Sequence, residues 1–120
     1  MMIFAVLFED DFARAVEIRR RFMPEHLSFL ERHGSAILTA GPLRDVAGEP
    51  MGGLWLVDAE DADSVSKLIE ADPFWPVGLR RSHRILEWQR VFHQGRTLAP
   101  TAPTIETRNP PPLPGKGLEA

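Results

Sequence analysis

The sequence predicts an α+β fold: a ferredoxin-like β-α-β-β-α-β unit with a four-stranded antiparallel sheet and two helices on one face. Three observations bear on it: the first predicts the fold, the second a cover for its open face, the third the extent of the domain. Four short runs rich in β-formers alternate with two stretches of helical character in that order. Two of the strands are apolar on both faces, whereas a sheet covered on one side needs only one apolar face. The composition then breaks near Gly95, and six of the 11 prolines lie between Pro100 and Pro114. The folded domain is accordingly set at residues 1–95, and residues 96–120 are read as a Pro-rich flexible tail.

The first element is Ile3-Phe4-Ala5-Val6-Leu7-Phe8, a buried central strand ended by Glu9-Asp10-Asp11. Residues 12–23 read as partly helical. A helix follows from Pro24, a residue suited to a first helical turn, to about His33, with Gly34 as its stop. Leu27 and Leu30, one turn apart, are assigned to its core face. Ala36 to Ala40 forms the second strand, ended by Gly41-Pro42. Residues 45–53 are a loop, and Leu54-Trp55-Leu56-Val57 is the third strand. Asp58 to Glu70 is the second helix, with acidic residues crowding its start and Val65, Leu68 and Ile69 as its stripe. Asp72-Pro73 ends it. The alternation from Ser82 to Phe92 makes the fourth strand. The third strand places Leu54 and Leu56 on one side and Trp55 and Val57 on the other, so the face without helices needs a cover. A second copy packed sheet to sheet supplies one, and a homodimer through the sheet faces is expected.

Composition excludes several function classes. The chain has 120 residues, 14 basic against 17 acidic, and a formal net charge of −3, which disfavours a nucleic-acid partner. Cysteine is absent, which removes disulfides, thiolate nucleophiles and zinc-finger sites. The longest apolar run, Met1 to Phe8, is far below the ~20 residues of a membrane span and lacks the features of a signal peptide, so a cytoplasmic protein with no membrane partner is expected. His26 and His33 stand about 10 Å apart along one helix, and His83 and His93 farther apart on a strand. No local motif therefore builds a metal site, and no metal or other cofactor is expected.

The candidate chemistry lies with His26. In a first helical turn, the positive end of the helix disfavours imidazolium and leaves a neutral ring able to accept a proton. The same position also suits an idle, partly exposed histidine. Asp72 either caps a turn or orients a histidine. Pro73-Phe74-Trp75-Pro76 is a stiff aromatic loop that can wall a pocket. Gly41-Pro42 ends a strand tightly, and the flanking Arg44 could hold an anionic group. Trp55, Phe74 and Trp75 are the candidate apolar walls of a binding site.

Several stretches together resemble the YCII-related (YciI-like) family. They are Phe4 to Asp10, Arg20 to Leu30, Ile37 to Leu43, Gly53 to Val57, Asp72-Pro73-Phe74 and the closing strand around Ile85 to Phe92. The resemblance implies a dimeric α+β barrel, in agreement with the two-faced strands. It also implies an active-site dyad of His26 and Asp72, the histidine and aspartate of the matching Pro-Glu-His-Leu and Asp-Pro-Phe stretches. One branch of the family is linked to dehydrochlorination of a chlorinated hydroxyquinol. The function so implied is a small cofactor-free enzyme, a lyase, isomerase or hydrolase, acting on a small cyclic or aromatic substrate. The alternative is a non-catalytic module binding a small-molecule ligand in the same pocket. An interaction role for the Pro-rich tail is a third reading.

Overall fold

The structure, a computed structural model, describes residues 2–98. Residues up to Gln89 form one unit and those from Arg90 another. In the first, the chain runs β1 (Met2–Asp10), α1 (Ala15–Arg32), β2 (Ile37–Arg44), β3 (Pro50–Ala59), α2 (Ala62–Ala71) and β4 (Arg80–Glu87). The strands form one antiparallel sheet in the order β2-β3-β1-β4. This is the ferredoxin-like arrangement. The two strands that are apolar on both faces, β1 and β3, are the central pair.

Alternation sorts the sheet into two faces. Phe4, Val6 and Phe8 of β1 join Trp55, Val57 and Ala59 of β3 on the helix side, where Phe29, Val65 and Ile69 cover them. Phe8 and Trp55 pack edge to face with centroids 5.0 Å apart. A second cluster joins Ala15 and Ile18 of α1 to Phe74 and Leu79 of the loop before β4. The other face carries the cross-strand rows Leu56–Ala5–Leu86 and Leu54–Leu7–Arg84. Its apolar side chains are only half-buried, and Leu86 is 39% exposed.

Several boundaries differ from the sequence reading. Residues 15–32 form one helix with Pro24 inside it. An interior proline removes one helical hydrogen bond. Here Pro24 and Arg20, whose carbonyl loses that donor, both lie on the exposed side, where water is available. The stripe Ala15, Ile18, Phe22, His26, Phe29 recurs at intervals of three and four and carries the helix through the proline.

β2 continues past Gly41-Pro42 to Arg44. It is an edge strand, and an edge position tolerates a residue with no N–H to donate. β3 starts at Pro50, within the expected loop, and Gly52 there has φ +137°. A Cβ on Gly52 would lie 1.8 Å from the carbonyl oxygen of Phe8, so only glycine lets β3 approach β1 at that point.

α2 begins later than expected because Asp61 caps it, accepting from the Ser64 backbone N–H at 2.9 Å and its hydroxyl at 2.8 Å. β4 begins two residues early and stops at Glu87. One further bond, from Trp88 N–H to the Ile3 carbonyl, brings it level with the start of β1, and among the described residues no strand pairs with it beyond. In the second unit, β5 (Phe92–His93) and β6 (Arg96–Thr97) form a hairpin. Gln94 at φ 51° and Gly95 at φ 78° make the turn, the positive-φ pair that a two-residue hairpin loop requires. The hairpin straddles the position at which the sequence reading ends the domain. Nearly all of the expected tail, from residue 99 onward, lies outside the described residues.

Candidate active site

The site draws on both helices and all four strands of the first unit. α2 ends at Asp72, whose backbone is extended at φ −69°, ψ 133°, as the following Pro73 demands. Its Oδ1 accepts the Phe74 backbone N–H at 3.1 Å, and its carbonyl accepts that of Trp75 at 2.8 Å. The carboxylate is thus held by its own loop. It faces His26 on the buried stripe of α1, and Nδ1 of His26 lies 2.9 Å from Asp72 Oδ1. A carboxylate only accepts, so Nδ1 carries a proton, and in a neutral ring Nε2 is then the unprotonated nitrogen. Phe74 stacks on the imidazole at 4.2 Å and 25°. His26 and Asp72 are 6% and 2% exposed.

The expected placement of His26 in a first helical turn is corrected. Because α1 starts at Ala15, His26 lies 11 residues in, roughly 16 Å along the axis at 1.5 Å per residue. The helix end is therefore too distant to act on the ring, since that field fades within a turn. Asp72 is the group that acts on the ring.

A second charge cluster adjoins the pair. Asp10 continues the Phe4, Val6, Phe8 parity of β1 and is 1% exposed. Its two oxygens each take one arginine: Oδ1 accepts from Arg80 Nη1 at 3.1 Å and Oδ2 from Arg19 Nη2 at 2.9 Å. Arg80 sits opposite Asp10 in the β1–β4 register, and its Nη2 lies 3.9 Å from Asp72 Oδ2. Burial holds the Arg80 guanidinium below its ordinary value. Asp10 opposes this, Arg19 adds to it and Asp72 opposes it.

His26, Arg19 and Arg80 border a cleft of about 100 Å³ between α1 and the edge of β2. Met23 and Leu27 form its helix side, Gly41 and Pro42 its strand side, and Trp55 its floor. Of the residues singled out in the sequence, His26, Gly41, Pro42 and Trp55 therefore meet at one cleft, with Asp72 and Phe74 directly behind the histidine. Arg44 does not join them. It lies exposed at the end of β2, beyond the bulge that follows Leu43. Trp75 is also outside the lining, 40% exposed and packed edge-on against His83 with centroids 5.9 Å apart. Leu27, assigned to the core, is 50% exposed on the rim.

Arg19, Arg80 and Asp10 were not singled out from the sequence. The unbroken alternation Phe4, Val6, Phe8, Asp10 is the signal that could have found the aspartate. Among the described residues, no group of three or more His, Cys, Asp or Glu side chains is placed to hold a metal ion. No helix there is long and apolar enough to cross a membrane.

Fold and site thus define a ferredoxin-like α+β domain with a histidine–aspartate pair buried beside a small cleft. The chain belongs to the YCII-related domain family, whose model matches residues 2–89. A solved structure similar to it is 5-chloro-2-hydroxyhydroquinone dehydrochlorinase from Burkholderia phenoliruptrix AC1100, in complex with 2,5-dihydroxybenzoquinone. The two are 25% identical with a TM-score of 0.65, over 73% of this chain and 94% of that one. No curated protein sequence matches.

Proposed function

We propose that this protein is a small enzyme that uses His26 and Asp72 as an acid–base pair on a small cyclic or aromatic substrate. The observation that carries the reading is the 2.9 Å contact between His26 Nδ1 and Asp72 Oδ1 at the wall of a cleft. With Nδ1 committed to Asp72, the neutral ring accepts a proton at Nε2. Asp72 then stabilises the imidazolium, as a buried carboxylate does in other histidine-based sites. Phe74 keeps the ring in plane by stacking, and Leu27 with Pro42 offers apolar surface to a substrate ring at the mouth of the cleft. The similar dehydrochlorinase acts on a chlorinated, hydroxylated ring and was solved with a hydroxylated quinone. Hydroxylated rings with an acidic proton are therefore the substrates to try first.

The reading includes a homodimer through the open sheet face. Ala5, Leu7, Leu54 and Leu56 lie there half-buried, and a second copy placed sheet to sheet would cover them.

The test is turnover of a panel of hydroxyquinones and chlorinated hydroxyquinols, followed by absorbance and chloride release. His26→Ala is expected to lose on the order of 10²–10⁴ in rate, the span of general base catalysis. A panel member turned over equally by wild type and His26→Ala would remove the histidine from the chemistry.

A further inference from the structure

Two groups of exposed apolar side chains stand apart from the cleft, and they follow one another in the chain. The first lies on the open sheet face along β4, at the edge of the sheet. Leu86 shares the cross-strand row of Ala5 and Leu56, and Trp88, whose N–H bonds the Ile3 carbonyl, keeps the same parity. The two are 39% and 43% exposed. The second group is on the β5–β6 hairpin, where Val91 is 65% and Phe92 62% exposed.

The hairpin does not account for its own apolar side chains. Each of its strands has two residues, and an isolated two-stranded hairpin is at best marginally stable in water. Phe92 faces Thr97 across the pair, and both are exposed. The turn is nonetheless specific, with Gln94 and Gly95 at positive φ, and a bond from Leu98 N–H to the Val91 carbonyl extends the pairing. The family domain ends at Gln89, so the hairpin lies beyond the part that defines the family.

We propose that residues 88–97 form an arm that clasps a second copy of this chain, laying Trp88 and Phe92 against that copy's sheet. The proposal rests on the sheet-to-sheet pairing above and carries the contact past the sheet itself.

Chain continuity supports it. Phe92 follows Trp88 by four residues, which span at most about 14 Å when extended, so the hairpin starts within reach of a copy seated on the open face. Area supports it too. Ala5, Leu7, Leu54 and Leu56 at the centre of that face are already half-buried in the single chain and keep only part of their area for a partner. A stable interface takes about 800 Å² from each partner. Aromatic side chains offer about 150–250 Å² each, so at their exposures Trp88 and Phe92 add roughly 200 Å² between them. Charge points the same way. Residues 88–97 hold Arg90 and Arg96 and no acidic residue, whereas the chain as a whole is acidic at −3. An acidic second copy attracts a basic arm.

The test is the dissociation constant of the dimer, from sedimentation equilibrium of the full-length chain over a concentration series. Phe92→Ser combined with Val91→Ser is expected to weaken the dimer about tenfold or more, since each dimer holds two arms. Val46→Ser, at a fully exposed position in the β2–β3 turn, is expected to leave it unchanged. Placement is read separately. The chain has no cysteine, so His93→Cys carries a nitroxide at one defined point. In mixed dimers of nitroxide-labelled chain with ¹⁵N-labelled chain, the spin label is expected to broaden sheet amides of the ¹⁵N copy. No broadening in the ¹⁵N copy would overturn the arm. A dimer that dissociates with Leu56→Glu but is unchanged by the Val91 and Phe92 substitutions overturns the arm and keeps the sheet pairing. A wild-type chain that stays monomeric at every concentration overturns both.

Discussion

Replacing Asp10 by asparagine tests the buried charge cluster most directly. The substitution keeps the shape and removes the charge that two arginines share. At an effective dielectric constant near 20, a unit pair at 3.1 Å, the Arg80 Nη1–Asp10 Oδ1 separation, interacts by about 5 kcal/mol. The Arg19 pair at 2.9 Å gives about 6 kcal/mol on the same scale. Desolvation cancels much of this in the intact cluster, but removing one partner leaves buried charge unopposed and typically costs about 3–5 kcal/mol. A domain of this size has a total stability on the order of 5–15 kcal/mol. Asp10→Asn should therefore lower Tm by roughly 12–40 °C, at about 4–8 °C per kcal/mol.

The assay is urea unfolding followed by tryptophan fluorescence, at two protein concentrations so that any association is seen. Arg80→Met and the double variant complete a cycle. The double variant should be less destabilised than the sum of the singles by about 2 kcal/mol, because the second substitution removes a charge that the first left unpaired. Added salt should change the wild-type midpoint little, since buried pairs are weakly screened. An Asp10→Asn protein within about 0.5 kcal/mol of wild type, the range of ordinary surface changes, or strictly additive singles, would refute the reasoning.

Two further outcomes are expected beside the turnover and association results above. The hydrogen bonds from Ser64 hold the Asp61 carboxyl below the usual carboxylate range, so its contribution to stability is present above its unfolded value and is lost as pH falls through the lowered folded value. Asp61→Asn, which keeps an acceptor at the cap, should thus differ most from wild type near neutral pH and converge with it in acid. Thermal unfolding across that range checks this, and a gap independent of pH would count against the linkage. Leu56→Glu places a charge in the middle of the open sheet face, beside Ala5. It should convert a dimer to a monomer in sedimentation while leaving the circular dichroism spectrum unchanged, and an unchanged sedimentation coefficient would argue against sheet-to-sheet pairing.

The elements most legible in the sequence are those defined by local physics. β1 reads directly, because Ile3 to Phe8 is a run of β-formers with no competing signal. The end of α2 reads directly as well, because Asp72-Pro73 forces an extended residue. Pro24 misled: taken as a helix start, it splits α1 in two and puts His26 beside a helix terminus. The sequence carries the correcting signal in the stripe Ala15, Ile18, Phe22, His26, Phe29, which a proline on the solvent side does not interrupt. Gly41-Pro42 misled for a related reason. A proline ends a central strand but not an edge one, and which strand lies at the edge is a property of the whole sheet.

The same division runs through the site. The sequence by itself determined the order of elements, the two-faced central strands, the stiff turn at Asp72 and the family resemblance that singles out His26 and Asp72. All of these depend on residues near one another in the chain. Only the tertiary structure decided that His26 meets Asp72 across 46 residues and that Arg80 meets Asp10 across 70. It also decided that Arg19 and Arg80, rather than Arg44, border the same cleft as the histidine. Such pairings follow from strand order, from the β1–β4 register and from the rotation of α1 on the sheet. These are fixed by how the buried faces pack together, and no local run of residues encodes them.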